Sequence, residues 1–163
     1  MLKLKGKYTY ELFDKDGNLK DTWESYNTIT NQGLQSIIDV GFLSSTQITN
    51  WYVGVYTART GTPANLTTAS IGVDITEFTN YSESTRPGYS GTRTNESLSN
   101  ALSKAAFSIT GSGTILGSFL IDSNAKSTTS GNVLFSLDDF PSSRTVGNGD
   151  TLNVTYQLTL ASA

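Results

Sequence analysis

The sequence contains no cysteine and no histidine, and these two absences exclude much of the common catalytic and metal-binding chemistry. Without cysteine there is no disulfide, no thiolate nucleophile and no thiolate metal ligand. Without histidine, the most frequent general base and metal ligand is missing as well. The remaining chemistry is that of carboxylates, hydroxyls and amines, so a nucleophile activated by histidine is impossible.

Charge is scarce too. Only 15% of the residues are charged, and the formal net charge is −3. A short basic stretch, formed by Lys3, Lys5 and Lys7, is too small to make the electrostatic footprint that nucleic acids or anionic membranes require. Serine and threonine instead number 45, which gives the chain a surface of hydroxyls. We therefore expect neither nucleic acid nor membrane among the partners.

The clearest structural signal lies near the C-terminus, where apolar and polar residues alternate strictly over residues 149–160. Such a period of two predicts a strand with one buried and one wet face, which is typical of antiparallel sheets. A sheet of this kind needs a second layer against which to bury its apolar face. The apolar positions of this strand are Leu152, Val154, Tyr156, Leu158 and Leu160.

Other segments of the chain have a strand-like pattern, and turn-rich stretches separate them. About eight strands at such intervals, with no linker and no internal repeat, predict a single domain over residues 1–163. The expected fold is an all-β antiparallel sandwich, jelly-roll-like, with one short helix near residues 30–40. The predicted strands are 6–13, 19–26, 50–57, 74–79, 104–110, 114–122, 132–137 and about 150–160.

The predicted helix covers residues 29–41. Thr30 is a suitable N-cap, and Gly41 can close the helix in the left-handed conformation. A narrow apolar stripe of Leu34, Ile37 and Ile38 follows the helical spacing. We expect this stripe to be buried and the helix to cover one end of the sandwich; partner binding through it is the alternative.

The first two strands are predicted to form a hairpin. Asp16-Gly17 favours a two-residue type I′ turn, because glycine tolerates a positive φ. A calcium loop beginning at Asp14 is the alternative, but Leu19 stands where that loop needs glycine and Ser25 where it needs a bidentate glutamate. We expect no metal site.

No group of residues points to catalysis. A pair of carboxylates of the glycosidase kind could be drawn from several acidic residues, as in any sequence of this size. The adjacent Asp138 and Asp139 are interpreted as a turn or a solvated loop, since successive strand residues face opposite ways. The glycines of 111–117 lack the lysine and the following helix of a phosphate loop. We therefore predict a protein that is not an enzyme and has no catalytic residues and no cofactor.

The long polar segment 80–95 is the candidate contact surface. Segments of this length without regular structure are functional or mobile. Tyr81, Arg86 and Tyr89 are residue types that recur as anchors of protein interfaces. We predict that these three side chains bind a partner.

Two motifs are the most specific in the chain. E-F-T-x-Y is followed closely by T-R-P within residues 77–87, and S-R-T-V-x-x-G-D-T-L-x-V-T-Y spans residues 143–156. In these motifs, and in the order of the segments over most of its length, the chain resembles a group of small virion structural proteins of tailed bacteriophages.

The resemblance implies a non-enzymatic β-sandwich that decorates or cements a capsid. The expected partners are the major capsid protein or other virion proteins, bound by many copies or by a homo-oligomer. The expected location is the virion, after synthesis in the cytoplasm of the host bacterium, because no signal peptide is visible. The alternative is a tail or fibre module that binds a host surface glycan through exposed tyrosine-rich loops.

Overall fold

The computed structural model describes residues 2–162 and consists of two antiparallel sheets and one α-helix, as predicted. The first sheet is built around the pairing of the N-terminal and C-terminal strands. The two strands pair over twelve residues, from Leu2 opposite Ser162 to Phe13 opposite Thr151. Its strands are β1 (Leu2–Phe13), β2 (Leu19–Tyr26), β7 (Thr92–Thr94), β8 (Ser97–Ser99), β9 (Ala105–Ser108) and β12 (Thr151–Ser162). Their order is β2-β1-β12-β8-β7, and β9 also pairs with β12.

The second sheet faces the first across the main hydrophobic core. Its strand order is β3-β11-β10-β4-β5, and β6 also pairs with β4. The strands are β3 (Thr28–Ile29), β4 (Trp51–Arg59), β5 (Ile75–Glu77), β6 (Gly88–Tyr89), β10 (Gly113–Ile121) and β11 (Leu134–Val146). The eight predicted strands are all present, and the two- and three-residue strands β3, β6, β7 and β8 are additional.

The core between the sheets follows from the period-two pattern. Alternate residues of β12, namely Leu152, Val154 and Tyr156, are buried, and their neighbours are partly exposed. They meet the inward residues of the opposite sheet, such as Val53 and Val55 of β4. The sequence pattern therefore specified the buried face over the first half of β12. In the second half the prediction is wrong for Leu160, which is 39% exposed, and Leu158 is only partly buried.

A second, smaller core covers the outer face of the second sheet. The connection between β4 and β5 folds back over the sheet through two short 3-10 turns. Leu66 and Ile71 from this connection are buried against Phe119 and Leu137. The central strands of this sheet are therefore covered on both faces.

The first hairpin is present, but its turn differs from the prediction. The connection has five residues, and Gly17 has a positive φ of 82° while Asp16 does not. The Asp14 carboxylate accepts the backbone N–H groups of Asp16 and Asn18, both at 2.9 Å. This local acceptor stabilises a longer turn than the type I′ turn that Asp16-Gly17 favours.

Strand β11 is longer than predicted, because it runs through the acidic pair to Val146. Asp138 and Asp139 pair with Ser118 and Gly117 of β10. Their interpretation as a turn or solvated loop is therefore wrong. The alternation between the two faces still holds, because Asp138 is buried and Asp139 is exposed on the other side.

Helix α1 (Asn31–Phe42) begins as predicted, with Thr30 as its N-cap. It continues one residue beyond Gly41, and the positive φ falls on Ser44 (58°) instead. Its first turn is fixed by hydrogen bonds to β11: the Thr30 N–H donates to the Phe135 carbonyl at 3.0 Å, and the Leu134 N–H donates to the Gln32 side chain at 2.8 Å.

Close backbone contact completes the attachment of the helix. Gly33 is the one buried residue of α1, and a Cβ atom at this position would lie 2.4 Å from the Phe135 carbonyl oxygen. The helix is thus held by its first turn and by its backbone. The apolar stripe of Leu34, Ile37 and Ile38 is exposed, which contradicts the prediction that it packs into the sandwich.

We expect Gly33→Ala to destabilise the protein by about 1–3 kcal/mol, because the added methyl group forces α1 away from β11. Gly41→Ala is the matched control, since no atom lies within 4 Å of its Cβ position. Alanine should stabilise that helical site by up to about 1 kcal/mol. Urea unfolding of both variants measures the difference, and equal effects would contradict this attachment.

Candidate functional site

Arg86, the central residue of the predicted contact segment, lies in the interior. Its side chain is fully buried, and its guanidinium forms a bidentate ion pair with Glu77, with both N–O distances at 2.8 Å. It also donates to the Ser123 carbonyl and lies over the ring of Phe119. Every one of these partners is part of the fold, so Arg86 has a structural role.

The other two predicted residues differ from each other. Tyr81 is buried, with its ring edge-on to Phe107 and the Lys126 ammonium 3.6 Å from its centre. Tyr89 is half-buried and lines the surface near Trp51. Burial raises the pKa of both tyrosines, which keeps their hydroxyls neutral. The structure does not bring the three residues together as an exposed surface, which corrects the expectation for Tyr81 and Arg86.

We expect Arg86→Ala to cost about 3–5 kcal/mol, because it leaves the Glu77 carboxylate buried without its partner. Arg93→Ala is the matched control: Arg93 is exposed in β7, and its loss should change stability by less than about 0.5 kcal/mol. Thermal unfolding with calorimetry measures both. A stable Arg86→Ala variant would instead favour a role in binding.

Asp138 is a buried carboxyl with a raised pKa, a combination that is common among catalytic carboxyls. Burial raises its pKa to about 6, and Tyr10 and Ser25 each donate to one of its oxygens at 2.5 Å. The other oxygen has no hydrogen-bond partner among the described residues. Because Asp138 is only 1% exposed, it offers no surface to a substrate, and its role is structural.

Asp139 does not form a catalytic pair with Asp138. It lies on the opposite face of β11, where hydrogen bonding to Arg59 lowers its pKa. Tyr56 also donates to it, at 2.6 Å. Two carboxylates on opposite faces of a strand cannot act on one bond, although their pKa values lie far apart.

The raised pKa of Asp138 predicts a specific pH dependence of stability. The native state holds a proton that the unfolded state loses near pH 4, so the free energy of unfolding falls between about pH 4 and pH 6. Since one pKa unit corresponds to about 1.4 kcal/mol, the fall should be about 3 kcal/mol. In Asp138→Asn this fall should disappear.

Urea unfolding at a series of pH values from 4 to 7.5 measures this effect as the difference between variant and parent. Asp139→Asn is the control. Because the pKa of Asp139 is lowered, this group makes the free energy of unfolding depend on pH only below about pH 4, so the variant should keep the fall between pH 4 and pH 6. A constant difference between Asp138→Asn and the parent over this range would show that the carboxyl is charged throughout.

The most unusual surface of the molecule is on α1. Half of the twelve large apolar side chains that are exposed in residues 2–162 lie within the ten residues 34–43. Their exposed fractions run from 38% for Val40 to 83% for Phe42. An apolar patch of several side chains on a soluble protein typically marks an interaction site. We call it the α1 surface: Leu34, Ile37, Ile38, Val40, Phe42 and Leu43.

Two grooves border the α1 surface and extend it. One, of about 540 Å³, lies between Leu34 and the ends of β1 and β2, where Tyr26 is 74% exposed. The other, of about 280 Å³, lies between Ile37, Val40 and Trp51. The exposed apolar residues therefore belong to one region at one end of the sandwich.

The helix side of this region carries little charge, although Lys5 lines the groove beside Leu34. Asp39 is the one charged residue between positions 27 and 58. A surface with many apolar and few charged groups costs little to desolvate, which favours contact with another protein. The helical spacing of Leu34, Ile37 and Ile38 in the sequence predicts the apolar stripe correctly. It does not predict that the stripe is exposed.

Comparisons with known proteins do not assign the chain to a family. No protein-family model matches the chain, and no curated protein matches it. Within residues 2–162 no helix is long and apolar enough to span a membrane. In the same range no cluster of three or more acidic residues has the geometry of a metal site.

Proposed function

We propose that this protein is a non-enzymatic virion structural protein of a tailed bacteriophage, a capsid decoration protein that binds across capsid subunits through the α1 surface. The observation that carries the proposal is the exposure of six large apolar side chains on α1 and at its C-cap. The sequence motifs of residues 77–87 and 143–156 supply the resemblance to virion proteins. Because Arg86 and Tyr81 are buried, the proposed contact does not include these two residues of segment 80–95.

The mode of attachment of α1 suits a contact with another protein. The bond from the Thr30 N–H to the Phe135 carbonyl, the bond from the Leu134 N–H to the Gln32 side chain and the close approach of Gly33 position the first turn of the helix. The apolar side chains of the α1 surface remain available to a partner.

Binding to undecorated phage heads tests the proposal. Purified protein should co-sediment with heads, and the double variant Ile38→Ser with Phe42→Ser should bind at least tenfold more weakly. The control is Leu102→Ser, because Leu102 is 87% exposed in the turn between β8 and β9 and lies outside the α1 surface. All three proteins should keep a similar melting temperature, since the substituted side chains are mostly in solvent.

Two outcomes would contradict the proposal. If the parent protein does not bind heads, the decoration role is wrong. If the parent is a dimer in sedimentation and the double variant is a monomer, the α1 surface joins copies of this chain and not the lattice.

Ile38→Ala gives a further check on the exposure of the α1 surface. Because Ile38 is 54% exposed, the free energy of unfolding should fall by far less than the 2–5 kcal/mol expected for a buried isoleucine.

Decorated heads should also survive heating better than bare heads. A ligand that binds only the intact lattice stabilises it by about 2.7 kcal/mol per site at a free concentration a hundred times its dissociation constant. Release of DNA during a thermal ramp measures head stability with and without the protein. Equal release temperatures would reduce the role to decoration without cementing.

A glycan-binding tail or fibre module is the second candidate, and one observation favours it. A cleft of about 280 Å³ at the start of β4 has an aromatic and polar lining, including Asn50, Trp51, Tyr52, Tyr89 and Ser90, and no charged residue lines it. Aromatic faces and neutral hydrogen-bonding groups suit a neutral sugar. Titration with N-acetylglucosamine, galactose and rhamnose, followed by calorimetry, should then saturate in the parent and not in Trp51→Phe.

A further inference from the structure

A small apolar pocket opens between the two sheets near the α1 surface. Its volume is about 100 Å³. The first sheet contributes Leu98, Tyr156 and Leu158 to the lining. The second contributes Trp51, Tyr89, Leu120 and Phe135. The pocket is therefore a gap between the layers of the sandwich.

The Tyr89 hydroxyl beside the pocket already has hydrogen-bond partners. The Tyr89 hydroxyl donates toward the carbonyls of Leu98 and Tyr156, at 3.4 and 3.3 Å. These bonds connect β6 of one sheet with β8 and β12 of the other. The interior consequently presents carbon atoms to any occupant, which favours an apolar group over a polar one.

The pocket adjoins the groove beside α1. Trp51 and Phe135 line both the pocket and this groove, which Ile37 and Val40 of α1 also line. A partner that covers the α1 surface and the groove would therefore lie next to the pocket.

The area that a stable interface covers is a second reason to include the pocket in the proposed contact. The exposed parts of the six α1 side chains amount to several hundred Å², whereas a stable interface covers roughly 800 Å² on each partner. Contacts that extend from α1 across the groove to the pocket approach that requirement. Residues that fill well-packed pockets also contribute most to binding energy in protein interfaces.

We propose that this pocket is the socket for a single aliphatic side chain of the capsid protein that docks on the α1 surface. The proposal rests on the proposed function. A cavity of about 150 Å³ lined by leucine, isoleucine and phenylalanine accommodates benzene, so about 100 Å³ suits a valine or leucine side chain. The part of the docked segment that enters the pocket is apolar, to match the apolar and aromatic lining.

Filling the socket tests the proposal without changing the α1 surface. Leu158→Phe should occupy the pocket, keep the melting temperature of the parent and weaken co-sedimentation with undecorated heads at least tenfold. Leu116→Phe is the matched control, because Leu116 is 41% exposed on β10 and does not line the pocket. Leu98→Phe fills the pocket from β8 and replaces Leu158→Phe if that variant fails to fold.

Xenon provides a readout that needs no capsid. Xenon NMR of the parent and of Leu116→Phe should show saturable binding, and the filled variant should lose it. Absence of xenon binding to the parent would overturn the socket. So would head binding by Leu158→Phe or Leu98→Phe that equals the parent.

The socket and the proposed function fail separately. If the filled variants bind heads normally while Ile38→Ser with Phe42→Ser does not, the α1 surface is the contact and the socket is wrong. If the parent does not bind heads at all, the decoration role fails first. If Leu158→Phe instead dissolves a dimer of the parent, the occupant is a second copy of this chain, which also overturns the proposal.

Discussion

The requirement that buried tyrosine hydroxyls find hydrogen-bond partners governs the way the two sheets meet. Tyr8 and Tyr10 project from β1 into the core and are fully buried. The hydroxyl of Tyr8 lies 3.0 Å from that of Ser136, and the hydroxyl of Tyr10 lies 2.6 Å from that of Ser118. Leaving such a group unpaired costs about 1–3 kcal/mol, so these pairs set the alignment of the first sheet on the second.

The same requirement explains why a carboxyl group lies inside the sandwich. Asp138 accepts from Tyr10 and Ser25, and so satisfies a hydroxyl from each of two strands of the first sheet. The desolvation that this position imposes raises the pKa of Asp138. A feature that resembles a tuned catalytic acid is therefore a consequence of a tyrosine-rich core. Tyr81 is an exception, since its buried hydroxyl has no hydrogen-bond partner among the described residues.

The position of α1 has a different physical origin. Its apolar stripe contributes little to docking, because the first turn already bonds to the backbone of β11 and Gly33 allows close contact there. The apolar side chains of the α1 surface stay 38–83% exposed, and a single copy of the chain gains nothing from that exposed part. This exposure is the reason for which we propose binding through α1, and the pocket beside Trp51 adjoins the same region.

The positions of eight strands and the start of the helix follow from the sequence alone. The alternation of β12 specified the buried face of its first half, and Thr30 specified where α1 begins. Which polar and apolar side chains are buried depends on tertiary contacts: Arg86 is buried because Glu77 and Phe119 lie beside it. Periodicity gives the direction of a side chain relative to its own strand or helix. Burial depends on what another element places opposite that side chain, and this information lies in contacts between residues distant in sequence.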